Sequence, residues 1–432
     1  MSAPQGLVSQ SSTAALGALV RDAGPRGIVA RGLGRSYGDP AQNGGGLVVA
    51  DLPAGLHLDP EAGVVKVGGG LSLHDLIRAV LPHGFFVPVT PGTRMVTIGG
   101  AVASDVHGKN HHSAGSFGDH LLEIWLMTAD GAVHVVSPTQ RPDLFWATVG
   151  GMGLTGLILE VTLRLLPVRT GHMVVRTERL GDLGAVMTRM RELDPQVTYS
   201  VAWIDTLARG RSLGRSVLTT AEHAALDDVG PRMDRWALPG NARLRAPSVP
   251  GPGLVVPAAV RAFNELWYRK APSLREGEVQ STSSFFHPLD GVADWNRLYG
   301  RRGFVQYQFV LPDESEALLP LLLEKLASLG HPSFLSVLKR LGPANSGMLS
   351  FPTQGWTLAL DVPARVGLIN LFEELDRAVL EAGGRFYLAK DARMSPQSLA
   401  AGYPRLDEFR RVRAEVDPGG VFQSDQSRRL GL

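Results

Sequence analysis

Cysteine is missing from the 432-residue chain. That absence removes disulfides, thiolate nucleophiles, Cys-ligated zinc and iron–sulfur clusters together, and it says nothing about redox compartment. No stretch reaches about 18 apolar residues, so the sequence offers no membrane span. The opening MSAPQGLVSQSSTAALGALV has no basic run followed by a long apolar core, so no secretory signal is expected and the chain reads as soluble. Charge of one sign is also lacking: 43 basic against 41 acidic side chains leave +2, with no bulk attraction for nucleic acid or an acidic polymer. Lysine is scarce at six of those 43, the rest being arginine, so each lysine merits inspection.

Glycine and proline, at 51 and 29, are abundant and imply many tight turns and glycine-lined loops. A hydrophobic share of 44% with 19% charged residues is ordinary globular composition, and the length suits two domains at roughly 150 residues each as a soft prior. In the first third, GIVARG (27–32), GGLVVADL (45–52) and GVVKVGGG (63–70) read as β-branched strands. Ser72 and Asp75 form a capping-box pattern before the helix LHDLIRAVLPHG, which ends near Gly84. Ala129-Asp130-Gly131 marks a hairpin turn between LLEIWLM and AVHVV. PDLFWATVG reads as a short helix, followed by a strand ending near residue 168. The middle, about 170–384, mixes amphipathic helices (LPDESEALLPLLLEKLASLG, LINLFEELDRAVLEAGG) with strands such as GFVQYQFVL and WTLALDV. Residues 210–256 read as loop, and the tail as a short strand, a helix around 404–416 and a terminal loop.

Gly151-Met152-Gly153-Leu154-Thr155-Gly156 fits G-x-G-x-x-G, but a helical segment precedes it and a β-rich run follows, the reverse of what a dinucleotide fingerprint needs. ARGLGRSYGD (30–39) is more informative. Gly32, Gly34 and Gly38 follow a strand and allow consecutive N–H groups to turn towards one anion, a nest that suits diphosphate; an ordinary glycine turn is the alternative. TIGG (97–100) and DVHGKNHHSAGS (105–116) put small residues beside Thr, Ser and Asn, the composition a flat aromatic ring needs when backbone approaches it. His107 and His111 stand four apart, yet Gly108 weakens the helix that a metal pair requires. They read as cofactor contacts or structural hydrogen bonds.

RGLGRSYGD, PGTRMVTIGGAVASDVHGKNHHSAGSFGDH, LFWATVGGMGLTG, ELWYRK, FFHPLD, WNRLYG, QYQFV and AKDAR occur in this order. On these motifs the chain resembles the vanillyl-alcohol-oxidase type FAD superfamily, and within it the family of decaprenylphosphoryl-ribose 2′-oxidases, flavoprotein subunits of the arabinose-donor epimerase. The resemblance covers nearly the whole chain apart from the first twenty residues and the region near 210–256. It implies an α+β, two-domain flavoprotein with an FAD-binding PCMH-type part (1–170), a substrate part with an antiparallel sheet flanked by helices (171–384), and a C-terminal return to the FAD part (385–432).

Carried over position by position, the resemblance implies an FAD pyrophosphate loop of Ala30, Arg31, Gly32, Leu33, Gly34, Arg35, Ser36, Tyr37, Gly38, Asp39 and Pro40. Gly92, Thr97, Ile98, Gly99, Gly100, His107, Gly108, Lys109 and Asn110 line the isoalloxazine and ribityl chain, with Ile158 and Tyr387 completing the site. Arg35 stands where covalent members carry histidine, so FAD is expected to be non-covalent. Lys390, Gln308 and His107 are the implied catalytic set, and Gln306, Gln308, Trp203, His287, Lys339, Ala359 and Lys390 the substrate set. Gln306 and Gln308 alternate on one strand and share a face, where they bond each other and the backbone or hold a polar ligand. For Lys390 the alternative is a salt bridge around Asp391. The chain departs from the family at Ala359 (usually cysteine), Thr357 (asparagine) and Phe286 (tyrosine).

The activity so implied is FAD-dependent oxidation of C2′ of a polyprenyl-phosphoryl ribofuranose, in arabinan and cell-wall biogenesis; the alternative is oxidation of a soluble sugar, polyol or nucleoside. The implied partners are a lipid-linked sugar phosphate, an NAD(P)H-dependent reductase that completes epimerisation, and the membrane surface, with apolar loops in 210–285 as docking surface. No nucleic acid or metal is expected. The location is cytoplasmic or peripheral at the envelope, the family suggesting its periplasmic face.

Overall fold

The β-branched runs of the first third pair into two sheets. In the computed structural model, which describes residues 6–9, 12–242, 244–248, 251, 253–328, 330 and 332–432, Leu47–Asp51 lies between Gly6–Ser9 and Ile28–Ala30 in a parallel three-stranded sheet. Leu56–Asp59, Val64–Gly68, Leu157–Arg164, Leu121–Met127 and Val133–Val136 follow one another in an antiparallel five-stranded sheet. Part of the N-terminal stretch read for a secretory signal, residues 1–5, 10 and 11, lies outside the described residues. The Asp-Gly hairpin forms as expected: Asp130 accepts from Thr128 Oγ1 and Ala132 N, and Gly131 takes φ 75°. Ser72 caps Leu73–Val80 by accepting from Asp75 N at 3.0 Å, and that helix buries Leu73, Leu76, Ile77 and Val80 at helical spacing. The Gly151–Gly156 segment is a turn between helix Pro142–Thr148 and strand Leu157–Arg164, as the reversed order required.

The middle of the chain builds one antiparallel eight-stranded sheet. Its order is Leu274–Ser281, His172–Leu180, Ser216–His223, Tyr199–Ile204, Ser336–Leu341, Gly355–Pro363, Phe304–Leu311 and Arg385–Phe386. Helices Leu183–Leu193, Leu318–Ser328 and Leu368–Glu381 turn leucine-rich faces inward, and Phe309 and Trp356 are fully buried. Truncating either aromatic would cost about 3–5 kcal/mol.

Three readings are corrected. Residues 210–256 are not simply loop: Ser216–His223 is an interior strand of the large sheet. Its short Val217-Leu218-Thr219-Thr220 run is masked in sequence by the arginines and glycines before it. The tail ends in helix Asp425–Leu430, capped by Ser424 accepting from Ser427 N, a signal without the usual Glu or Gln. The helix placed over 311–330 starts only at Leu318, because the chain first makes a 3₁₀ turn at Asp313–Ser315. Among the described residues no helix is long and apolar enough to cross a membrane.

Candidate active site

Glycine sets the close approaches of the first wall. Gly34 takes φ 63°, a conformation that favours glycine. A Cβ on Gly32 would collide with the Thr97 hydroxyl, and one on Gly38 with the Asp391 carbonyl. The 30–40 loop is thus seated on Thr97 and on the turn after residue 388, with Tyr37 N donating to Ala389 O at 3.0 Å. Thr97 in turn caps helix Ile98–Ala103 by accepting from Gly100 N at 3.2 Å. Asp105, fully buried at φ 38°, fastens the next loop. It accepts from Ser116, Asn345, Ser350 and the Gly118 N–H.

These segments enclose a cavity of about 1000 Å³, the upper end for a small-molecule site. Ala30 to Tyr37, Pro40, Gly92, Thr97, Gly99, Gly100, His107, Gly108, Lys109, Ile158 and Tyr387 line one side. The large sheet lines the other through Trp203, Gln306, Gln308, Lys339 and Ala359, with Lys390 between them. Five of the residues singled out in sequence are not on the wall. Ile98 is in the core, Asn110 donates to Pro88 O at 2.9 Å, and Gly38 packs on Asp391. Asp39 pairs with Arg429 at 2.6 Å, and His287 Nε2 meets Thr90 Oγ1 at 2.8 Å.

Gln306 and Gln308 do share a face, but they do not bond each other. Gln306 donates to Asp361 at 2.5 Å; Gln308 donates to His107 Nε2 at 3.1 Å and to Thr357 Oγ1 at 3.3 Å. With the amide so oriented, the His107 proton sits on Nδ1, which is buried without a protein partner, as are Gln306 Oε1 and Asp361 Oδ2. His107 and His111 diverge: His107 faces the cavity, while His111 Nδ1 accepts from Gly342 N. Burial holds both imidazoles well below their ordinary range, hence neutral.

Lys390 does not pair with Asp391, which Arg429 holds at 2.7 Å; its Nζ lies 3.9 Å from the Tyr37 ring centroid. Burial lowers the Lys390 pKa while the Asp361 charge opposes that shift. Burial raises that of Asp361 against its Gln306 hydrogen bond and the Lys390 charge. Lys109 and Lys339 also face the cavity, and burial pushes each down to about 7. Asp361 escaped sequence reasoning. Its signal was a lone carboxylate two residues beyond Ala359 in the apolar WTLALDV strand. Asp105 had no such signal, because its partners Asn345 and Ser350 are more than 200 residues away.

The glycine cradle, the cavity size and the unpartnered His107 Nδ1 fit a flavin dinucleotide. A family model for an FAD binding domain matches residues 4–137, spanning both glycine segments, and one for D-arabinono-1,4-lactone oxidase matches residues 361–430. Decaprenylphosphoryl-beta-D-ribose oxidase of Mycolicibacterium smegmatis is 46% identical over 416 residues, covering 95% of this chain and 90% of that protein. Alditol oxidase of a Streptomyces species is 26% identical over 92% of the chain and 88% of its own length. L-gulono-1,4-lactone dehydrogenase of Mycobacterium tuberculosis is 24% identical over 99% and 96%. Fold and site define an FAD-dependent oxidoreductase of the α+β type. Within that class the chain belongs to the decaprenylphosphoryl-ribose oxidase family.

Proposed function

We propose that the protein oxidises the 2′-hydroxyl of a polyprenyl-phosphoryl ribofuranose to the 2′-ketone, the first half of an epimerisation to the arabinose donor. The observation that carries this reading is the facing of the two walls. The two glycine-rich segments lie on one side; the Gln306 and Gln308 amides and the Lys339 ammonium lie on the other, with Lys390 between them, where a polyhydroxylated, anionic molecule finds partners. The 46% identity over nearly the full length supports the choice of sugar.

In this reading Ala30 to Tyr37, Pro40, Gly92, Thr97, Gly99, Gly100, His107, Gly108, Ile158 and Tyr387 hold FAD without a covalent bond, Arg35 standing where covalent members carry histidine. The same reading divides the chain at 170/171 and 384/385. Bound FAD supplies the two-electron acceptor that turns a carbinol into a ketone. Gln308, fixed by His107 and Thr357, and Gln306, fixed by Asp361, orient the ribose hydroxyls. Lys390, beside Tyr37, holds the oxygen from which the proton departs. Tyr387, stacked on Phe351 at 4.8 Å and 5.3 Å from the His107 ring, sets an aromatic surface at that end of the site.

The ketone then requires an NAD(P)H-linked reductase as partner. Contact with a bilayer belongs to the same reading, because helix Pro257–Lys270 exposes Phe263, Leu266 and Trp267 among Arg261, Arg269 and Lys270. Trp267 also lines the cavity. Ala359, Thr357 and Phe286 are the observations favouring a soluble sugar or polyol instead. The deciding experiment incubates holoenzyme with a polyprenyl-phosphoryl ribose and an electron-accepting dye, then traps product with borodeuteride. Deuterium at C2′ supports the reading; deuterium elsewhere, or none, contradicts it.

A further inference from the structure

Three of the six lysines converge on the cavity, and they are not equivalent. Lys390 has the Asp361 carboxylate as a counter-charge. Lys109 and Lys339 have none: among the described residues the charge acting on Lys109 is Lys339, and that acting on Lys339 is Lys390. Each ammonium spends one of its three donors on a main-chain carbonyl. Lys109 donates to Phe285 O and lies 4.0 Å from the Phe285 ring centroid; Lys339 donates to Gly108 O at 3.3 Å. Two donors on each are left without a protein partner among the described residues, and both lysines line the cavity. Both positions are rigidly seated: Lys339 is on the interior strand Ser336–Leu341, and the Lys109 carbonyl accepts from Ser200 N on a neighbouring strand at 2.9 Å. Beside them the wall turns apolar, through Val201, Trp203, Val217, Phe286 and Trp267.

Two desolvated cations without a carboxylate are costly in a closed protein, and the cost is offset when an anion enters. We propose that Lys109 and Lys339 form a phosphoryl-oxyanion subsite, distinct from the Lys390 position, that seats the phosphate joining sugar to polyprenyl chain. The identification with a lipid-linked phosphate rests on the function proposed above; the anion site itself does not. An oxyanion held there places the sugar towards Gln308 and Lys390 and the chain along the apolar wall. Substrate selection then depends on the phosphate as much as on the sugar.

The test titrates inorganic phosphate into oxidised, FAD-loaded enzyme at pH 6.5 and constant ionic strength, read by perturbation of the flavin spectrum. Wild type is expected to saturate. Lys109→Met and Lys339→Met should each weaken phosphate by roughly tenfold to hundredfold, the loss of one charge-assisted hydrogen bond. Lys339→Arg should restore most of the affinity, which separates lost charge from damaged packing. A second arm compares anaerobic reduction by a polyprenyl-phosphoryl ribose, ribose 1-phosphate and a neutral alkyl riboside. Preference for the two phosphorylated sugars over the riboside should shrink in both Met variants, and the lipid-linked compound exceeding ribose 1-phosphate identifies the source of the phosphate. Unaltered phosphate affinity in the Met variants overturns the proposal. So does loss of FAD with phosphate affinity retained, which would assign the lysines to the cofactor. If phosphate binding depends on both lysines but lipid-linked ribose does not reduce the flavin, the subsite stands and the proposed substrate falls.

Discussion

Across the cavity, residues 30–37 and 92–109 bring six glycines among their lining residues, whereas the strands carrying Trp203, Gln306, Lys339 and Ala359 bring none and offer an indole, an amide, an ammonium and a methyl. The first wall comes from two contiguous stretches, each with its own turns and caps. The second is assembled one or two residues at a time from strands far apart in the chain. The first therefore tolerates little change in backbone, and the second little change in charge.

The largest expected effect breaks the first wall alone. Gly34→Val forces a β-branched residue to φ 63° and presses on the Arg31 guanidinium at 3.2 Å. FAD content of the purified protein should fall to near zero, while the far-UV dichroism of the large sheet is retained. Full flavin occupancy would remove the 30–40 loop from the cofactor site.

Removing the charge that sits between the walls should do the opposite. Lys390→Met keeps length and stem but removes the charge beside Tyr37. FAD should stay bound, and anaerobic flavin reduction should slow by about tenfold to hundredfold, equivalent to about 1.5–3 kcal/mol. A wild-type rate would make Lys390 a structural cation.

A smaller effect sharpens the contrast through pH. Lys109 and Lys339, both pushed down to about 7, feel only positive or neutral neighbours: the Lys339 charge acts on Lys109, His107 and His111, the Lys390 charge on Lys339, and the Lys109 charge on His287. Because these lysine pKa values lie below those of the unfolded chain, the folded form binds fewer protons between about 7 and 10. Stability without an anion should therefore rise with pH across that window. Stabilisation by added phosphate should run the other way, larger at pH 6.5 than at 8.5 in thermal unfolding. Equal phosphate shifts at both pH values would contradict the assignment.

The smallest perturbation is Ala359→Cys, a half-buried position on the cavity wall. The wild-type chain contains no thiol, so intact mass should show no adduct with a thiol-directed electrophile of cavity size. The variant should gain one adduct with its fold unchanged.

The same contrast explains what could be read before the structure. The strand and glycine loop around residues 28–38 and the Ser72-capped helix Leu73–Val80 follow from neighbours in sequence, and so did the paired face of Gln306 and Gln308. Tertiary pairing hid the rest. Asp361 becomes a partner of Gln306 only because their strands are in register. Lys109 and Lys339 are 230 positions apart and meet through Gly108. Ser216–His223 is a strand because it fills the gap between Tyr199–Ile204 and His172–Leu180, not because its own composition demands it. His287 shows the converse: family position pointed to the pocket, and its ring faces Thr90 instead.

The central claim, that a flavin wall faces a wall built for a phosphorylated ribose, is tested most directly by anaerobic bleaching of the flavin band with a panel of sugars. The account predicts full reduction by a polyprenyl-phosphoryl ribose within the dead time of manual mixing, and no reduction by free alditols, aldonolactones or nucleosides at the same concentration. Bleaching by an alditol or lactone, with the lipid-linked ribose inert, would contradict it.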